Sequence, residues 1–412
     1  MKFEDYSIAP NIKKNLSKLG FKRPTDIQYK SIPPILRGED VMAIAQTGTG
    51  KTAAFAIPVI NILDEKKGKQ RRADGIKCIV MVPTRELALQ ITEVFEKMAK
   101  HTKVKIFGVI GGVEQDAQIA RLQKDVDILV VTPGRMFDLA SQGFIKLNRV
   151  EILVLDEADL MLDLGFIKDI QDIITRLPKR RQTLFFSATI DSKIKKLAYS
   201  LVRNAIRIEI SPKDRISKNI NHAVAFIKMD DKRFFLERFI NENPESKILI
   251  FVRTKVRAER VSKAMERVEI ETHTIHGDKE QDDRLEVMNR FKKGYFKILI
   301  ATDVSARGID IPNVEYVINY DLPEITENYV HRVGRTGRGT HRGNAISFCS
   351  PDEHELLIAI EEYLGVPVEI LEVDKKDYDS TIRFSKDTNE SIKSLMKEIE
   401  DFQSKKKKRK KK

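Results

Sequence analysis

The sequence predicts an α/β fold built twice, as two tandem parallel-sheet domains followed by a short basic C-terminal tail. Three observations in the 412 residues carry that expectation. Short apolar runs alternate with helix-like stretches, the alternation stops at a polar segment and restarts, and the last eight residues, Lys405 to Lys412, are all lysine or arginine. Continuous apolar runs mark strands buried on both faces, and strands alternating with helices favour a parallel sheet covered on both sides.

In the first half the runs are VMAIA from Val41, CIVMV from Cys78, ILVVT from Ile128, ILVLD from Ile152 and TLFFSAT from Thr183, closed by AIRIEI. Between them Leu87, Ile91, Val94, Phe95 and Met98 recur at the spacing of one helix face. Ser211 to Ser217 is polar with one proline and reads as a linker. The alternation then resumes with KILIF from Lys247, THTIH from Thr272, KILIATD from Lys297, EYVINYD from Glu315 and AISFCS from Ala345, and ends near Gly365. The expected domains are 1–210 and 218–370. Residues 371–412 are expected to form a flexible, lysine-rich tail with one weak helical stretch, since their composition offers little apolar surface to bury.

Charged residues make up 33% of the chain and hydrophobic ones 41%. No apolar run approaches the roughly 18 residues a bilayer span needs, so a soluble globular protein is expected, with no membrane partner. The N-terminus lacks the apolar core of a secretory signal. Cys78 and Cys349, the only cysteines, lie in separate strand-like runs and read as buried reduced thiols rather than as a disulfide or metal site. Of the formal charge of +13, the terminal run supplies eight, and thirteen less eight leaves +5 for the body. Polyanions are plausible partners, although charge alone does not separate nucleic acid from acidic protein or a membrane surface.

Ala45 to Thr52 reads AQTGTGKT, after a strand-like run and before a helix-like one, which is the context of a P-loop. Gly48, Thr49 and Gly50 make the turn, and the glycines let backbone N–H groups curve round phosphate oxygens. Lys51 reaches the β and γ phosphates, and the Thr52 hydroxyl is a magnesium ligand at a helix N-terminus. Asp156 and Glu157 follow the apolar run Ile152 to Leu155, where a neighbouring sheet end lies beside the P-loop. Asp156 suits hydrated Mg2+, and Glu157 suits the general base for an attacking water. An acidic pair after a strand is also a common helix cap; the P-loop upstream favours nucleoside triphosphate hydrolysis.

Asp156, Glu157, Ala158 and Asp159 spell DEAD, and with the surrounding motifs the sequence resembles the DEAD-box ATP-dependent RNA helicase family over residues 3 to 350. Each family motif occurs once and in order, and none is missing. The resemblance implies two RecA-like domains. Phe3, and GFKRPTDIQ with Phe21 and Gln28, are similar to the Q motif, which in the family reads adenine and so implies ATP; the family commonly has proline where Asp26 stands. Pro83, Thr84 and Arg85 of PTREL, the pair Gly111 and Gly112, and Thr132, Gly134 and Arg135 of TPGR are similar to motifs that hold the RNA backbone. Ser187 and Thr189 match the motif that couples Asp159 to domain closure. Arg253 and Thr254, Gln281 and Arg284, and Thr302 and Asp303 resemble second-domain RNA contacts. ATP contacts are implied near Gly308 and Asp310. His331 to Arg338 resembles the arginine-finger motif, by which Arg335 and Arg338 face the γ-phosphate while His331 and Arg332 link to the DEAD carboxylates.

Physical chemistry supports these roles independently. An arginine-dense segment with glycines suits close approach to a polyanion, and a finger of this kind is worth ~10³–10⁵ in rate; its plainer reading is a solvated basic loop. Thr84, Arg85, Thr132, Gly134 and Arg135 offer hydroxyls, N–H groups and charge to phosphates, a reading of backbone form and not of base sequence. His276 suits RNA contact or simple packing equally. The expected activity is ATP-dependent separation of short RNA duplexes or displacement of bound protein, with ATP and Mg2+. By the resemblance ATP and RNA both bridge the two domains, so their bindings are positively linked. A different reading is an ATP-gated RNA clamp, which intact Glu157, Ser187, Thr189 and Arg335 disfavour; a DNA translocase is the third. The core is expected to be monomeric, with protein partners or the tail directing it, and cytoplasmic in a bacterial source. In a eukaryote the lysine run could equally serve as a nuclear signal.

Overall fold

A computed structural model of the chain describes residues 2–46, 48–69, 75–190, 192–210, 216–303, 311–337 and 342–385. The chain divides into two compact units, each carrying one sheet. In the first unit β1 (Val41–Ala45), β2 (Cys78–Met81), β3 (Ile106–Val109), β4 (Ile128–Val131), β5 (Ile152–Leu155), β6 (Gln182–Ser187) and β7 (Ile206–Ile210) form a parallel sheet in the order β3-β4-β2-β5-β6-β1-β7. β1, β2, β4, β5 and β6 are buried along their whole length, as strands covered by helices on both faces must be. Two apolar layers sandwich the sheet. In one, Phe55 packs on Phe95 and Phe186 at ring separations of 6.0 and 5.1 Å; the other gathers around Met136, Leu153 and Phe185.

The second unit repeats the plan with β8 (Ile220–Phe226), β9 (Ile248–Phe251), β10 (His273–Ile275), β11 (Ile298–Ala301), β12 (Tyr316–Asn319), β13 (Gly343–Cys349) and β14 (Glu369–Ile370). The order is β10-β11-β9-β12-β13-β8-β14, again parallel throughout. Sequence reading finds eleven of these fourteen strands and passes over β3, β8 and β14. β3 carries Gly108 and is only partly buried, and β8 interleaves Asn221 and His222 with its apolar residues, so both signals are diluted. β14 has two exposed residues and lies past Gly365.

The helical stretch expected after residue 371 is present and docked. Helix Lys375–Phe384 packs on helix Lys232–Glu242: the Tyr378 hydroxyl donates to Asp231 Oδ2 at 2.8 Å, and Arg238 Nη1 donates to Thr381 Oγ1 at 2.8 Å. A ring contact between Tyr378 and Phe235, at 4.9 Å, adds apolar area to these polar ties. The lysine run lies outside the described residues. Both cysteines are buried free thiols, and burial pushes the Cys349 thiol up to about 11. Among the described residues no helix is long and apolar enough to cross a membrane.

Candidate functional site

The P-loop leaves the C-terminal end of β1 and enters helix Lys51–Lys69. Gly48 and Gly50 adopt φ of +81° and +93°, a region that favours glycine. Space favours glycine at 50 as well, since an added Cβ would lie 2.4 Å from Gln28 Nε2 and push that amide aside. That amide donates to Gly50 O at 3.1 Å while Gln28 Oε1 accepts from Thr25 N at 3.0 Å, within the capping box that starts helix Asp26–Leu36. Gln28 therefore ties the Q-motif helix to the P-loop. Phe3 does not face outward: it is 1% exposed and packs edge-on against half-buried Phe21 at 5.8 Å, so it supports Phe21 and offers no ligand surface of its own.

One strand, β6, separates β1 from β5, with Ile44 level with Ser187 and Leu155 level with Phe185. This register gathers Lys51, Asp156, Glu157 and Ser187 at one sheet edge. Lys51 is 6% exposed, and its Nζ has no hydrogen-bond partner among the described residues; neither has Ser187 Oγ. An orphaned buried ammonium fits a missing anion. Burial pushes the Asp156 carboxyl up to about 7 against the pull of Lys51, and Glu157 adds to the rise. Asp156 Oδ1 accepts from Glu157 N at 3.0 Å, and Glu157 is held at φ +51°, strained for a residue with a side chain. Asp159 Oδ2 accepts from Ala188 N at 3.2 Å and from Thr189 Oγ1 at 3.4 Å, so the DEAD helix and the segment after β6 are bonded together. No cluster of three or more histidine, cysteine or acidic side chains poised for a metal occurs among the described residues. The Thr52 and Asp156 pair suits a magnesium ion that also takes phosphate and water oxygens.

The other half of the same edge is formed by β2, β4 and β3. Thr84 caps helix Arg85–Met98, accepting from Leu87 N at 3.3 Å. The Arg85 guanidinium lies on the Gly111–Gly112 turn so closely that a Cβ on Gly112 would sit 2.2 Å from its Nη1. Thr132 precedes helix Pro133–Ser141 without a side-chain cap bond, and Gly134 is open to its surroundings. Arg135 Nη1 donates to Gln115 Oε1 and Asp138 Oδ2, leaving Nε and Nη2 without protein partners among the described residues.

In the second unit Thr254 repeats the role of Thr84, following β9 and accepting from Arg257 N at 3.1 Å. Arg253 turns back: its Nη2 donates to Glu353 Oε1 at 2.8 Å and to Leu322 O at 3.3 Å. Gln281 and Arg284 are buried neighbours on helix Gln281–Lys293, and Thr302 follows β11. Arg332, 1% exposed, pairs through Nε and Nη2 with both carboxylate oxygens of Asp303, at 2.5 and 2.8 Å, while Nη1 donates to Asp321 O at 2.7 Å. The Arg332 guanidinium is thus spent on partners within its own unit, as a buried charge must be. Arg335 is buried, with Nε donating to His331 O at 3.0 Å. His276 takes the packing role, its Nε2 bonded to Glu259 Oε1 at 2.8 Å. Gly308, Asp310 and Arg338 lie outside the described residues. Sequence reasoning missed Gln118, Lys232 and Glu353, whose signals as lone polar residues inside helical patterns are no different from those of solvated ones.

The model of the DEAD/DEAH box helicase family matches residues 25–197, and that of the helicase conserved C-terminal domain matches residues 231–340. The chain is similar to the ATP-dependent RNA helicase DbpA of Bacillus subtilis, 39% identical over 376 residues that span 91% of this chain and 77% of that protein. ATP-dependent RNA helicase RhlB of Shewanella oneidensis is 39% identical over 377 residues, 91% of this chain and 86% of its own length. Among solved structures, S. cerevisiae Dbp5 bound to RNA and ADP BeF3 matches with a TM-score of 0.81 at 31% identity, covering 93% of this chain and 98% of that one. A DEAD box protein from Methanococcus jannaschii matches with a TM-score of 0.52 at 37% identity, covering 90% and 99%.

Proposed function

The chain belongs to the DEAD/DEAH box helicase family, and on that premise we propose that it is an RNA-dependent ATPase that separates short RNA duplexes or strips protein from RNA. Its two parallel sheets are RecA-like domains. The observation that carries the reading is the Lys51 ammonium, buried without a hydrogen-bond partner among the described residues, near Asp156 at the end of the first sheet.

In this proposal Gly48, Thr49 and Gly50 present N–H groups to phosphate oxygens, and Lys51 supplies charge to the β and γ positions. Thr52 and Asp156 would hold Mg2+, which when bound neutralises charge on the phosphates. Glu157 orients water and accepts its proton. Phe21, propped by Phe3, and Gln28 hold the adenine. Arg335 is the finger for the γ-phosphate, its guanidinium pre-set by the His331 carbonyl. Thr84, Arg85, Arg135 and Thr254 hold RNA phosphates, a recognition of backbone form. Asp159, bonded to the Ala188–Thr189 segment, passes the state of the acidic pair to β6. The Asp303–Arg332 pair and the Glu353–Arg253 contact order the loops of the second unit. A cytoplasmic monomer assisted by protein partners is part of the same proposal.

Two variants test the ATP chemistry. Lys51→Ala is expected to weaken ATP binding, whereas Glu157→Gln keeps ATP bound and stops turnover, read by nucleotide binding beside phosphate release. A Glu157→Gln protein with near-normal turnover sinks the general-base assignment.

A further inference from the structure

We infer that helix Gln115–Leu122 is a positioning element for RNA binding, with Gln118 and Gln115 setting the geometry of the Arg85 and Arg135 phosphate contacts. The inference rests on the reading of those arginines given above.

β3 is the edge strand of the first sheet. An edge leaves backbone N–H and C=O groups without a neighbouring strand. Just beyond the end of β3, Gln118 supplies the missing neighbour: its Oε1 accepts from Ile110 N at 3.1 Å and its Nε2 donates to Ile110 O at 3.0 Å. The amide thus pairs with both groups of one residue, as a strand would. A third bond, from Nε2 to Glu114 O at 3.3 Å, ties the amide to the start of its own helix. Gln118 is buried, so these bonds are sheltered from competing water.

Gly111 and Gly112 follow at once. Gly112 turns at φ +76°, and the Arg85 guanidinium lies against it where a Cβ would displace it. The path of the backbone at Ile110 therefore decides where the Arg85 guanidinium comes to rest. Three residues before Gln118, and so on the same helix face, Gln115 holds the second arginine. Its Oε1 accepts from Arg135 Nη1 at 3.0 Å, and its Nε2 donates to Gln142 Oε1 at 3.0 Å. Gln142 Nε2 donates to Asp138 Oδ1 at 2.6 Å, and Asp138 Oδ2 accepts from Arg135 Nη1 at 2.7 Å, which closes a ring. The ring holds Nη1, while Nε and Nη2 are buried without a hydrogen-bond partner among the described residues, so the guanidinium keeps unspent donors for an anion that reaches it. One short helix thereby sets two cations that stand in the first turns of two other helices, and neither glutamine touches the RNA.

The test is Gln118→Glu in the full chain. It keeps the shape but puts a carboxylate against the Ile110 and Glu114 carbonyls. The apparent KM for single-stranded RNA in the ATPase assay is expected to rise about tenfold, the scale of one buried donor bond lost. Turnover at saturating RNA and the KM for ATP should stay within about twofold of wild type. Arg85→Ala is run beside it. If Arg85→Ala leaves RNA affinity unchanged, the reading of this surface as an RNA grip fails. If Arg85→Ala weakens RNA binding while Gln118→Glu does not, the positioning inference alone is overturned. Equal losses in RNA affinity, ATP affinity and turnover would make Gln118 a residue of general stability and overturn it too. Should Gln118→Glu not fold, Gln115→Ala, at a half-buried position, carries the same comparison through Arg135.

Discussion

Removing the Glu353 carboxylate is expected to cost the second unit more than removing its cationic partner Lys232. Glu353 accepts from Lys232 Nζ, Arg253 Nη2 at 2.8 Å, Leu322 N and Ser350 N at 3.1 Å, and Ser350 Oγ at 3.0 Å. Burial alone would push the carboxyl up, but Lys232 and the Ser350 donors outweigh it and hold the group below the usual carboxylate range. Glu353→Ala strips a fully buried ammonium of its counter-charge, leaving it the Tyr320 carbonyl at 2.7 Å and the Asp321 carboxylate at 3.9 Å. Breaking a buried pair from one side costs ~3–5 kcal/mol. Lys232→Met is milder, because the remaining carboxylate keeps the Arg253 guanidinium and three neutral donors. The loss there is the bond to Glu353, ~1.5–3 kcal/mol, and the bond to the Tyr320 carbonyl, about 1 kcal/mol more. Against a stability of about 5–15 kcal/mol both effects are measurable. Hydrogen exchange of the β9, β12 and β13 amides across a urea series confines the reading to this unit. The double variant Lys232→Met with Glu353→Leu should recover only part of the Glu353→Ala loss, since the buried ammonium leaves with its counter-charge but Arg253, Leu322 N and the Ser350 donors lose their acceptor. A Glu353→Ala protein within about 1 kcal/mol of wild type, or one less destabilised than Lys232→Met, would refute the reasoning.

Gly50→Ala should weaken ATP binding about tenfold or more, because the added Cβ meets Gln28 at a backbone angle that costs ~1–2 kcal/mol; unchanged affinity in a titration with a fluorescent ATP analogue contradicts this. Burial lowers the His222 pKa, with Glu369 opposing, so the folded chain binds fewer protons there than the unfolded chain. That contribution to stability is present above the unfolded histidine value near 6.5 and is lost as pH falls below it. His222→Gln should therefore flatten the fall in melting temperature on acidification, and an unaltered fall would count against it. Deleting Lys405 to Lys412 should flatten log RNA affinity against log salt by up to about 5 units, at ~0.7 per phosphate contact. An unchanged slope in a salt series removes the tail from RNA binding.

Strands such as Ile128–Val131 and Ile152–Leu155 are legible because burial on both faces leaves no polar position to blur the run. The phosphate loop is legible for a local reason, since glycine, lysine and threonine must stand at fixed offsets whatever surrounds them. What escapes sequence reading depends on tertiary partners. Arg332 sits in an arginine-rich motif, yet Asp303, far away in sequence, decides that it points inward. Phe3 is an aromatic near an adenine motif, and only its packing against Tyr6 and Phe21 shows that it is a support. Helix Lys375–Phe384 has the composition of a solvated tail, and it is Tyr378, bonded to Asp231 and the Lys228 amide and packed on Phe235, together with Thr381 on Arg238, that ties it down. The two glutamines behind the glycine turn carry no sequence signal, because their role arises from the free edge of β3.

ATP turnover with single-stranded RNA, set beside turnover with DNA of the same length and sequence, tests the central claim most directly. The account predicts strong stimulation by RNA, weak or no stimulation by DNA, ATP-dependent separation of a short RNA duplex by the same preparation, and loss of all three in Glu157→Gln. Turnover indifferent to RNA, or driven equally by DNA, would contradict it.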